Sequence, residues 1–257
     1  GQNFLIDKNI INKIISIGNI TKEDKILEIG AGYGSLTKEI EKLKPKKIYA
    51  IEKDEKISNI IIKKFEKSKN IYVINEDILK TLKKKSLDKN LVIFGNLPYN
   101  ISSQILASLI LLDKWPPWYK KMIFMFQEEV ANRILAKSGS KEYGRLSILA
   151  NWRLEIKKHF NVSKNCFLPS PKVNSTILSF TPKKKYKFKL KNPKNLEMIT
   201  RVLFSNRRKM INKNFIKLFK KDDSISRKLK IDLTKRPEEI NNDTFYKIAM
   251  EYEALFS

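Results

Sequence analysis

Cysteine and histidine are almost missing from this sequence, which has 257 residues but only Cys166 and His159 of these two kinds. A disulfide framework needs paired cysteines, and a structural zinc site draws on several Cys or His ligands. The sequence therefore excludes a disulfide-stapled fold and a Cys/His metal cage, and we expect no metal. A reducing compartment, the cytoplasm, is the expected location.

Long apolar runs are also lacking. No stretch reaches the roughly 20 residues that a membrane-spanning helix needs. The first residues, GQNFLIDKN, show neither the basic nor the apolar region of a secretory signal. We therefore expect no membrane association and no targeting signal.

Acidic residues are scarce beside basic ones: 27 Asp and Glu stand against 53 Lys and Arg, a net charge of +26. Such an excess indicates a polyanionic partner, either nucleic acid or a lipid surface. Lysine, isoleucine and asparagine are abundant throughout, however, and this bias alone would supply surface lysines with no binding role. The hydrophobic content of 42% is enough for a folded core.

Short apolar runs recur along the first half of the chain, with helical segments between them. This rhythm predicts an α/β fold with a mostly parallel sheet and crossover helices, and near-continuous apolar character is typical of strands buried on both faces. The runs are KILEI at 25–29, KIYAI at 47–51, NIYVI at 70–74, LVIF at 91–94 and MIFMF at 122–126. A helix is predicted over residues 8–17, a late strand over 173–180 and a possible earlier strand over 151–160.

After Phe180 the sequence becomes polar and basic, TPKKKYKFKLKNPKN, which is typical of a linker over residues 181–195. Apolar residues then recur at helical spacing from Leu196 onward. We predict one α/β domain over residues 1–182, followed over 183–257 by a linker and a small helical domain.

The segments that follow the predicted strands carry a consistent set of residues. In open parallel sheets ligands bind beyond the carboxyl ends of the strands. The first strand leads into GAGYG at 30–34, a weak signal alone because glycines also serve plain tight turns. Glu52 follows the second strand, where an acidic side chain can bind ribose hydroxyls. Asp77 follows the third and can accept from an adenine amino group, or act only as a helix cap. Together they favour an adenosyl ligand.

The fourth strand leads into FGNLPYNIS at 94–102. The Asn96 side-chain oxygen and a backbone carbonyl near Leu97, fixed by Pro98, are suited to accept the two N–H groups of a base amino nitrogen. Tyr99 would then stack on the base. A plain turn with an aromatic lid is the alternative.

With these motifs in order, the chain resembles the ribosomal RNA adenine dimethyltransferases over nearly its whole length. The stretches that carry the resemblance are GQNFL at 1–5, EIGAGYGSLT at 28–37, IEKD at 51–54, EDIL at 76–79, FGNLPYNIS at 94–102, FMFQEEVANRI at 124–134, EYGRLSILA at 142–150, FLPSPKVNS at 167–175, FSNRRKMINKNF and RPEEI. The resemblance implies a Rossmann-like class I methyltransferase fold with a seven-stranded sheet and a C-terminal helical domain. It also implies S-adenosylmethionine as cofactor and S-adenosylhomocysteine as product.

The resemblance further implies roles for individual residues. Gly30 would lie against the methionine part of the cofactor, Glu52 would bind its ribose and Asp77 its adenine. The implied cofactor-binding residues are Asn3, Leu5, Gly30, Glu52, Asp77 and Asn96. The implied catalytic residues are Asn96, Pro98, Tyr99 and Phe167. Phe167 would pack on a flipped target adenine, although packing in the core is the alternative for this residue.

The expected reaction is N6 dimethylation of two adjacent adenines near the 3′ end of 16S ribosomal RNA during ribosome biogenesis. The partner would be the small ribosomal subunit or its assembly intermediate, and the enzyme is expected to be a monomer. Arg207, Arg208 and Lys209 are predicted to bind RNA, because the forked arginine side chain bridges phosphates. A solvated helix face is the alternative for these three.

Three competing functions share part of the pattern. The macrolide-resistance methyltransferases, which modify large-subunit RNA, share the NxPYNIS and PKVNS stretches, but YGRLS and RRKMINKNF favour the small-subunit family. A non-catalytic RNA-binding assembly factor would be expected to lack the cofactor-binding residues, yet Glu52, Asp77 and the NLPY residues are present. An NAD-dependent dehydrogenase has no evident hydride-handling residues here.

Overall fold

The protein forms two compact units, each built from more than one segment of the chain. The computed structural model describes residues 3–82, 88–220, 222 and 224–256, so the first two residues of the GQNFL motif lie outside it. The first unit comprises Gly1–Ser108, Pro116–Ala131 and Ile156–Pro182. The second comprises Leu109–Trp115, Asn132–Glu155 and Lys183–Ser257. The division of functions between residues 1–182 and 183–257 stays a prediction.

The described residues contain nine strands and eleven α-helices. The strands are β1 (Phe4–Leu5), β2 (Lys25–Ile29), β3 (Lys47–Glu52), β4 (Ile71–Asn75), β5 (Leu91–Asn96), β6 (Tyr119–Gln127), β7 (Leu154–Val162), β8 (Phe167–Leu168) and β9 (Ser175–Pro182). The helices are α1 (Lys8–Gly18), α2 (Ser35–Glu41), α3 (Glu55–Lys64), α4 (Ile78–Thr81), α5 (Ser102–Ile110), α6 (Glu128–Leu135), α7 (Arg145–Arg153), α8 (Pro193–Leu203), α9 (Asn212–Leu218), α10 (Ser224–Leu229) and α11 (Asn242–Phe256). Short 3₁₀ helices span Lys164–Cys166, Phe204–Asn206 and Pro237–Glu239.

Seven strands form one sheet in the order β4-β3-β2-β5-β6-β9-β7, which confirms the predicted mostly parallel seven-stranded sheet. The pairs from β4 through β6 are parallel, and β9 runs antiparallel to β6. The chain builds outward from β2 to β4 on one side and from β5 to β6 on the other. This reversal beside β2 and β5 is a topological switch point, where open α/β sheets bind ligands.

The central strands are buried on both faces, as their continuous apolar runs predicted. Ile26, Leu27, Val92, Ile93 and Phe94 are all fully buried. The edge strand β4 is less buried: Tyr72 and Asn75 are exposed, and its other residues are only partly buried. Central β2 and β5 are therefore held rigidly, and so are the starts of the loops that follow them.

Helix α1 shows how local chemistry sets an element's bounds. The Asp7 side chain accepts a hydrogen bond from the Ile10 amide at 3.0 Å and so caps the first turn. Asn19, with φ +45°, ends the helix in the left-handed conformation. Between these ends Ile11, Ile14 and Ile15 are buried on one face.

In the second unit the basic stretch predicted as a linker packs its apolar side chains. Phe188 and Leu190 are each 7% exposed, and the Trp152 indole donates to the Phe188 carbonyl at 2.7 Å. The Glu253 carboxylate of α11 accepts from the amides of Lys191 and Asn192, just before α8 begins. The lysine-rich composition of this stretch predicted a linker and gave no indication of these packing and hydrogen-bond contacts. None of the helices in the described part of the chain is both long enough and apolar enough to cross a bilayer.

Candidate active site

A cavity of about 380 Å³ opens in the first unit beyond the carboxyl ends of β2, β3, β4 and β5. Its volume is in the range of small-molecule sites. The N-terminal residues Asn3–Leu5 also line it. Eight of the residues predicted for the cofactor and the chemistry line this one cavity: Asn3, Leu5, Gly30, Glu52, Asp77, Asn96, Pro98 and Tyr99.

The glycine turn after β2, residues 30–34, lies close to β3 and to the NLPY segment, residues 96–99. The amides of Gly30 and Ala31 both donate to the Ile51 carbonyl, at 2.9 and 3.1 Å. Gly30 has φ +72°, and a Cβ there would lie 3.1 Å from the Asn96 backbone oxygen. Glycine is therefore required both for the left-handed backbone and for the close approach of two loops.

Glu52 joins the glycine turn to the end of β3. Its side chain is 4% exposed, and its two oxygens accept from the amides of Gly32 and Asp54, each at 3.0 Å. Each carboxylate oxygen has a second lone pair, which leaves acceptor capacity for ligand hydroxyls. The position of Glu52 after the second strand predicted a ribose contact, and the structure adds a direct hydrogen bond between Glu52 and Gly32.

Glu28 is a second buried carboxyl on the cavity wall, and sequence reasoning missed it. It lies in β2, is 2% exposed, and accepts a hydrogen bond from the Thr37 hydroxyl at 2.5 Å. Burial is the main reason that its pKa is raised to about 8; the charge of Glu52 acts in the same direction, whereas Thr37 and Lys64 oppose it. The signal in the sequence was an acidic residue inside the apolar run KILEI.

Asp77 caps α4 and also lines the cavity. One carboxylate oxygen accepts from the Leu79 amide at 2.9 Å, and the other pairs with Lys53 at 2.9 Å. The hydrogen bond from Lys53, followed by that from Leu79, lowers the Asp77 pKa. The helix-cap alternative is thus present in the structure, and the adenine contact stays a prediction that would use the remaining lone pairs.

Asn96 ends β5 with a defined amide orientation. Its Nδ2 donates to the Asn3 carbonyl at 3.1 Å. Its Oδ1 accepts no hydrogen bond from the residues that the structure describes, and it remains an acceptor toward the cavity. The next residue, Leu97, is 1% exposed and covers Gly95, whose added Cβ would lie 2.6 Å from the leucine side chain. The NLPY segment is therefore anchored in the core at Leu97 and exposed at Pro98.

Tyr99 is partly buried, and its hydroxyl shares a 2.8 Å hydrogen bond with the Ser175 hydroxyl. Burial raises the Tyr99 pKa, so the phenol stays neutral at physiological pH. The Ser102 hydroxyl donates to the Tyr99 carbonyl at 3.1 Å. Backbone and ring are both fixed beside the cavity.

Phe167 lies in the core of the first unit. It is 3% exposed, pairs with Leu5 across β1 and β8, and packs in a hydrophobic cluster with residues of α1. It is not among the described residues that line the cavity. This placement corresponds to the alternative stated for Phe167 from the sequence, packing in the core. Contact of Phe167 with a flipped adenine stays a prediction.

The three predicted RNA-binding residues belong to the second unit. The Arg207 guanidinium donates to Glu238 at 2.7 Å and also to the Lys141 carbonyl. Arg208 and Lys209 are exposed. These contacts give Arg207 a structural partner that its sequence context did not predict.

The cavity fits the adenosyl cofactor that the sequence predicted. At the glycine turn, Gly30 leaves space that a Cβ would occupy, close to the Asn96 backbone oxygen. Glu52 presents a buried carboxylate with acceptor capacity for ribose hydroxyls. Asp77 supplies a further acceptor in the same cavity. These side chains come from different strand ends, which is the usual arrangement in this class of sheet.

Comparison with known proteins extends the likeness to the whole chain. A family model described as ribosomal RNA adenine dimethylase matches residues 1–254. The chain is 46% identical to a ribosomal RNA small subunit methyltransferase A from Pelagibacter ubique, over 99% of this chain and 96% of that protein. It is 39% identical to the protein of that name from Borreliella burgdorferi strain ZS7, over 97% of this chain and 86% of that protein.

A solved structure shows the same fold. The crystal structure of a dimethyladenosine transferase from Plasmodium falciparum superposes with a TM-score of 0.80, covers 98% of each chain and is 28% identical in sequence. Together with the family match and the cavity geometry, this shows that the chain belongs to the ribosomal RNA adenine dimethylase family and is an S-adenosylmethionine-dependent adenine dimethyltransferase.

Proposed function

We propose that the protein dimethylates N6 of two adjacent adenines near the 3′ end of small-subunit, 16S ribosomal RNA, during ribosome biogenesis. The names of two of its relatives support the small subunit as the substrate particle. The observation that carries the chemistry is the orientation of Asn96. Because its Nδ2 donates to the Asn3 carbonyl, its Oδ1 is the atom presented for an incoming amino group.

An adenine amino nitrogen is a poor nucleophile, because its lone pair is delocalised into the ring. Asn96 Oδ1 and the Leu97 carbonyl accept its two N–H groups and hold the nitrogen toward the methyl donor. Tyr99 stacks on the base, which has to leave its helix to enter the cavity. The cofactor supplies a methyl group already activated by its sulfonium, so alignment and exclusion of water account for most of the catalysis.

Cofactor binding divides among the residues around the cavity. Gly30 lies against the methionine part, Glu52 accepts from the ribose hydroxyls, and Asp77 accepts from the adenine amino group. Asn3 and Leu5 close the pocket from the N-terminal side. The support for this division is that all five line one cavity of suitable size.

RNA binding belongs to the basic residues of the 183–257 segment. Arg208 and Lys209 contact phosphates, because they are exposed and carry no structural ion pair among the described residues. Arg207 contributes mainly by holding this region through Glu238. The enzyme acts as a cytoplasmic monomer without membrane association.

The test offers purified, undermethylated small and large ribosomal subunits to the protein with labelled S-adenosylmethionine. We expect label only in the small subunit, and mass spectrometry of the RNA should show dimethyladenine at two neighbouring positions. Label in large-subunit RNA would support the macrolide-resistance type instead. Absence of methyl transfer to both subunits, with cofactor binding intact, would overturn the proposal.

A further inference from the structure

The Tyr99 hydroxyl reaches a side chain that none of the cofactor or RNA assignments includes. It shares a 2.8 Å hydrogen bond with Ser175, which lies 76 residues further along the chain. Ser175 is fully buried and is the first residue of β9. The contact therefore joins the NLPY segment to the last residue of the FLPSPKVNS stretch.

Ser175 is a rigid anchor. It lies opposite Gln127 in the antiparallel β6–β9 pair, so its backbone is held by the sheet. Its hydroxyl has no access to solvent, and the bond to Tyr99 is not exchanged for one to water.

The Tyr99 ring is restrained at its other end as well. The ring of Pro98 fixes the backbone φ of the residue just before Tyr99, and the Ser102 hydroxyl donates to the Tyr99 carbonyl. The remaining freedom is rotation and tilt of the ring about its side-chain torsions. A hydrogen bond at the hydroxyl, the atom farthest from the backbone, removes that freedom most effectively.

We propose that Ser175 is a positioning residue for methyl transfer: its hydroxyl sets the tilt of the Tyr99 ring against the target base. The inference rests on the proposed stacking role of Tyr99. A tilted ring would still admit the base but would leave its amino group misaligned with Asn96 Oδ1. Ser175 thus affects turnover and leaves cofactor binding unchanged, because it does not line the described cavity.

The test is a double-mutant cycle on the full chain, with Ser175→Ala, Tyr99→Phe and the combined variant. Each single change removes the same hydrogen bond, and we expect each to lower kcat about five-fold, the effect of one neutral hydrogen bond. The combined variant should also show a decrease of about five-fold, because the same bond cannot be removed twice. The KM for S-adenosylmethionine should not change.

Ser179→Ala is the matched control. Ser179 lies in the same strand, is 6% exposed, and its hydroxyl shares a 2.8 Å hydrogen bond with His159. Its replacement should leave kcat unchanged, although it also removes a buried hydroxyl group. Thermal unfolding of all variants separates a folding defect from a positioning defect, and Tyr99→Phe probes the bond without altering the buried strand.

Four outcomes decide the question. Wild-type turnover in Ser175→Ala, or a combined decrease of about 25-fold that equals the product of the single effects, would overturn the positioning role. An equal decrease of kcat in Ser179→Ala would also overturn it, by showing a general effect of β9. A further variant, Tyr99→Ala, tests the stacking role itself: wild-type turnover in this variant would refute that role, and with it this inference.

Discussion

At the scale of single residues, two side chains that line the cavity use some of their polar atoms in structural hydrogen bonds. Those bonds determine which acceptor atoms remain available for a ligand. Asn96 uses its amide nitrogen on the Asn3 carbonyl, and its oxygen is left for the target. Glu52 uses one lone pair of each oxygen on backbone amides. In both cases a structural hydrogen bond orients the functional atom.

Replacing Asn96 by Ala should abolish methylation without unfolding the protein. The Oδ1 acceptor acts on the amino group as it reacts, and removal of such an aligned group reduces kcat by about 100-fold or more. Single-turnover methylation of undermethylated small subunits measures the effect. Asn70→Ala is the control, because Asn70 also donates its amide to a backbone carbonyl, that of Pro45, but does not line the cavity. Near wild-type turnover of Asn96→Ala would refute the mechanism.

Glu28 should make stability depend on pH. The pKa of its carboxyl is about 8 in the folded protein and 4.5 in the reference state, so the folded state retains a proton that the unfolded state loses. The stabilising contribution of Glu28 to the free energy of unfolding is complete below about pH 4.5, and it falls as the pH rises toward 8.

Glu28→Gln keeps a neutral acceptor for Thr37 at every pH. Relative to wild type, its melting temperature should therefore rise as the pH increases from about 5 to about 8. Thermal unfolding across this range measures the difference. Glu55→Gln, at an exposed position, controls for the removal of one charge. A constant difference between Glu28→Gln and wild type across the range would show that Glu28 is not protonated in the folded protein.

At the scale of elements, the site is formed where turns after parallel strands meet. The turn after β2 contacts the end of β5 at Gly30, and β1 brings Asn3 beside Asn96. Phe4 packs on Tyr33 of the glycine turn at 4.6 Å between ring centroids. The N-terminal strand therefore covers the turn that the sequence predicted for the cofactor.

Gly30→Ala should weaken cofactor binding more than backbone strain alone explains. The added Cβ would meet the Asn96 backbone oxygen at 3.1 Å and push the glycine turn away from the NLPY segment. Gly139→Ala is the matched control, because Gly139 also has positive φ, +88°, but an added Cβ there has no neighbour within 4 Å.

Each of these two substitutions should cost about 1–2 kcal/mol of stability from the left-handed backbone. Only Gly30→Ala should reduce S-adenosylmethionine affinity in calorimetry. Equal affinity in the two variants would show that the contact between the turn and the NLPY segment does not shape the cofactor site.

At the scale of the whole molecule, the charge of +26 acts over long distances and not through single pairs. The second unit holds some of its cations in structural contacts, as Arg207 shows. Others, including Arg208 and Lys209, project into solvent. Arg208 and Lys209 are therefore better candidates for phosphate contacts than Arg207 is.

Arg208→Ala combined with Lys209→Ala should lower RNA affinity and flatten its salt dependence. Removing two cations from phosphates should reduce the slope of log affinity against log salt by at most about 1.8, which is twice the value for one contact. Filter binding at several salt concentrations measures both quantities, with cofactor affinity expected to stay constant. Lys247→Ala, an exposed lysine on α11, controls for a change in net charge. An unchanged slope would remove these residues from the RNA interface.

The amino-acid sequence by itself determined the parallel strands, the order of their loops and several of the cavity residues. Apolar runs report directly on burial of both strand faces, and parallel strands place the residues after each run at one edge. Glu52, Asp77 and Asn96 could therefore be grouped from their positions alone.

Only the tertiary structure decided which partners these residues have. It buried Phe167 in the core, paired Arg207 with Glu238, raised the pKa of Glu28 and joined Tyr99 to Ser175. Local sequence patterns describe which face of an element is apolar, whereas these contacts join segments far apart in the chain. Their strength depends on burial, which is a property of the folded molecule as a whole.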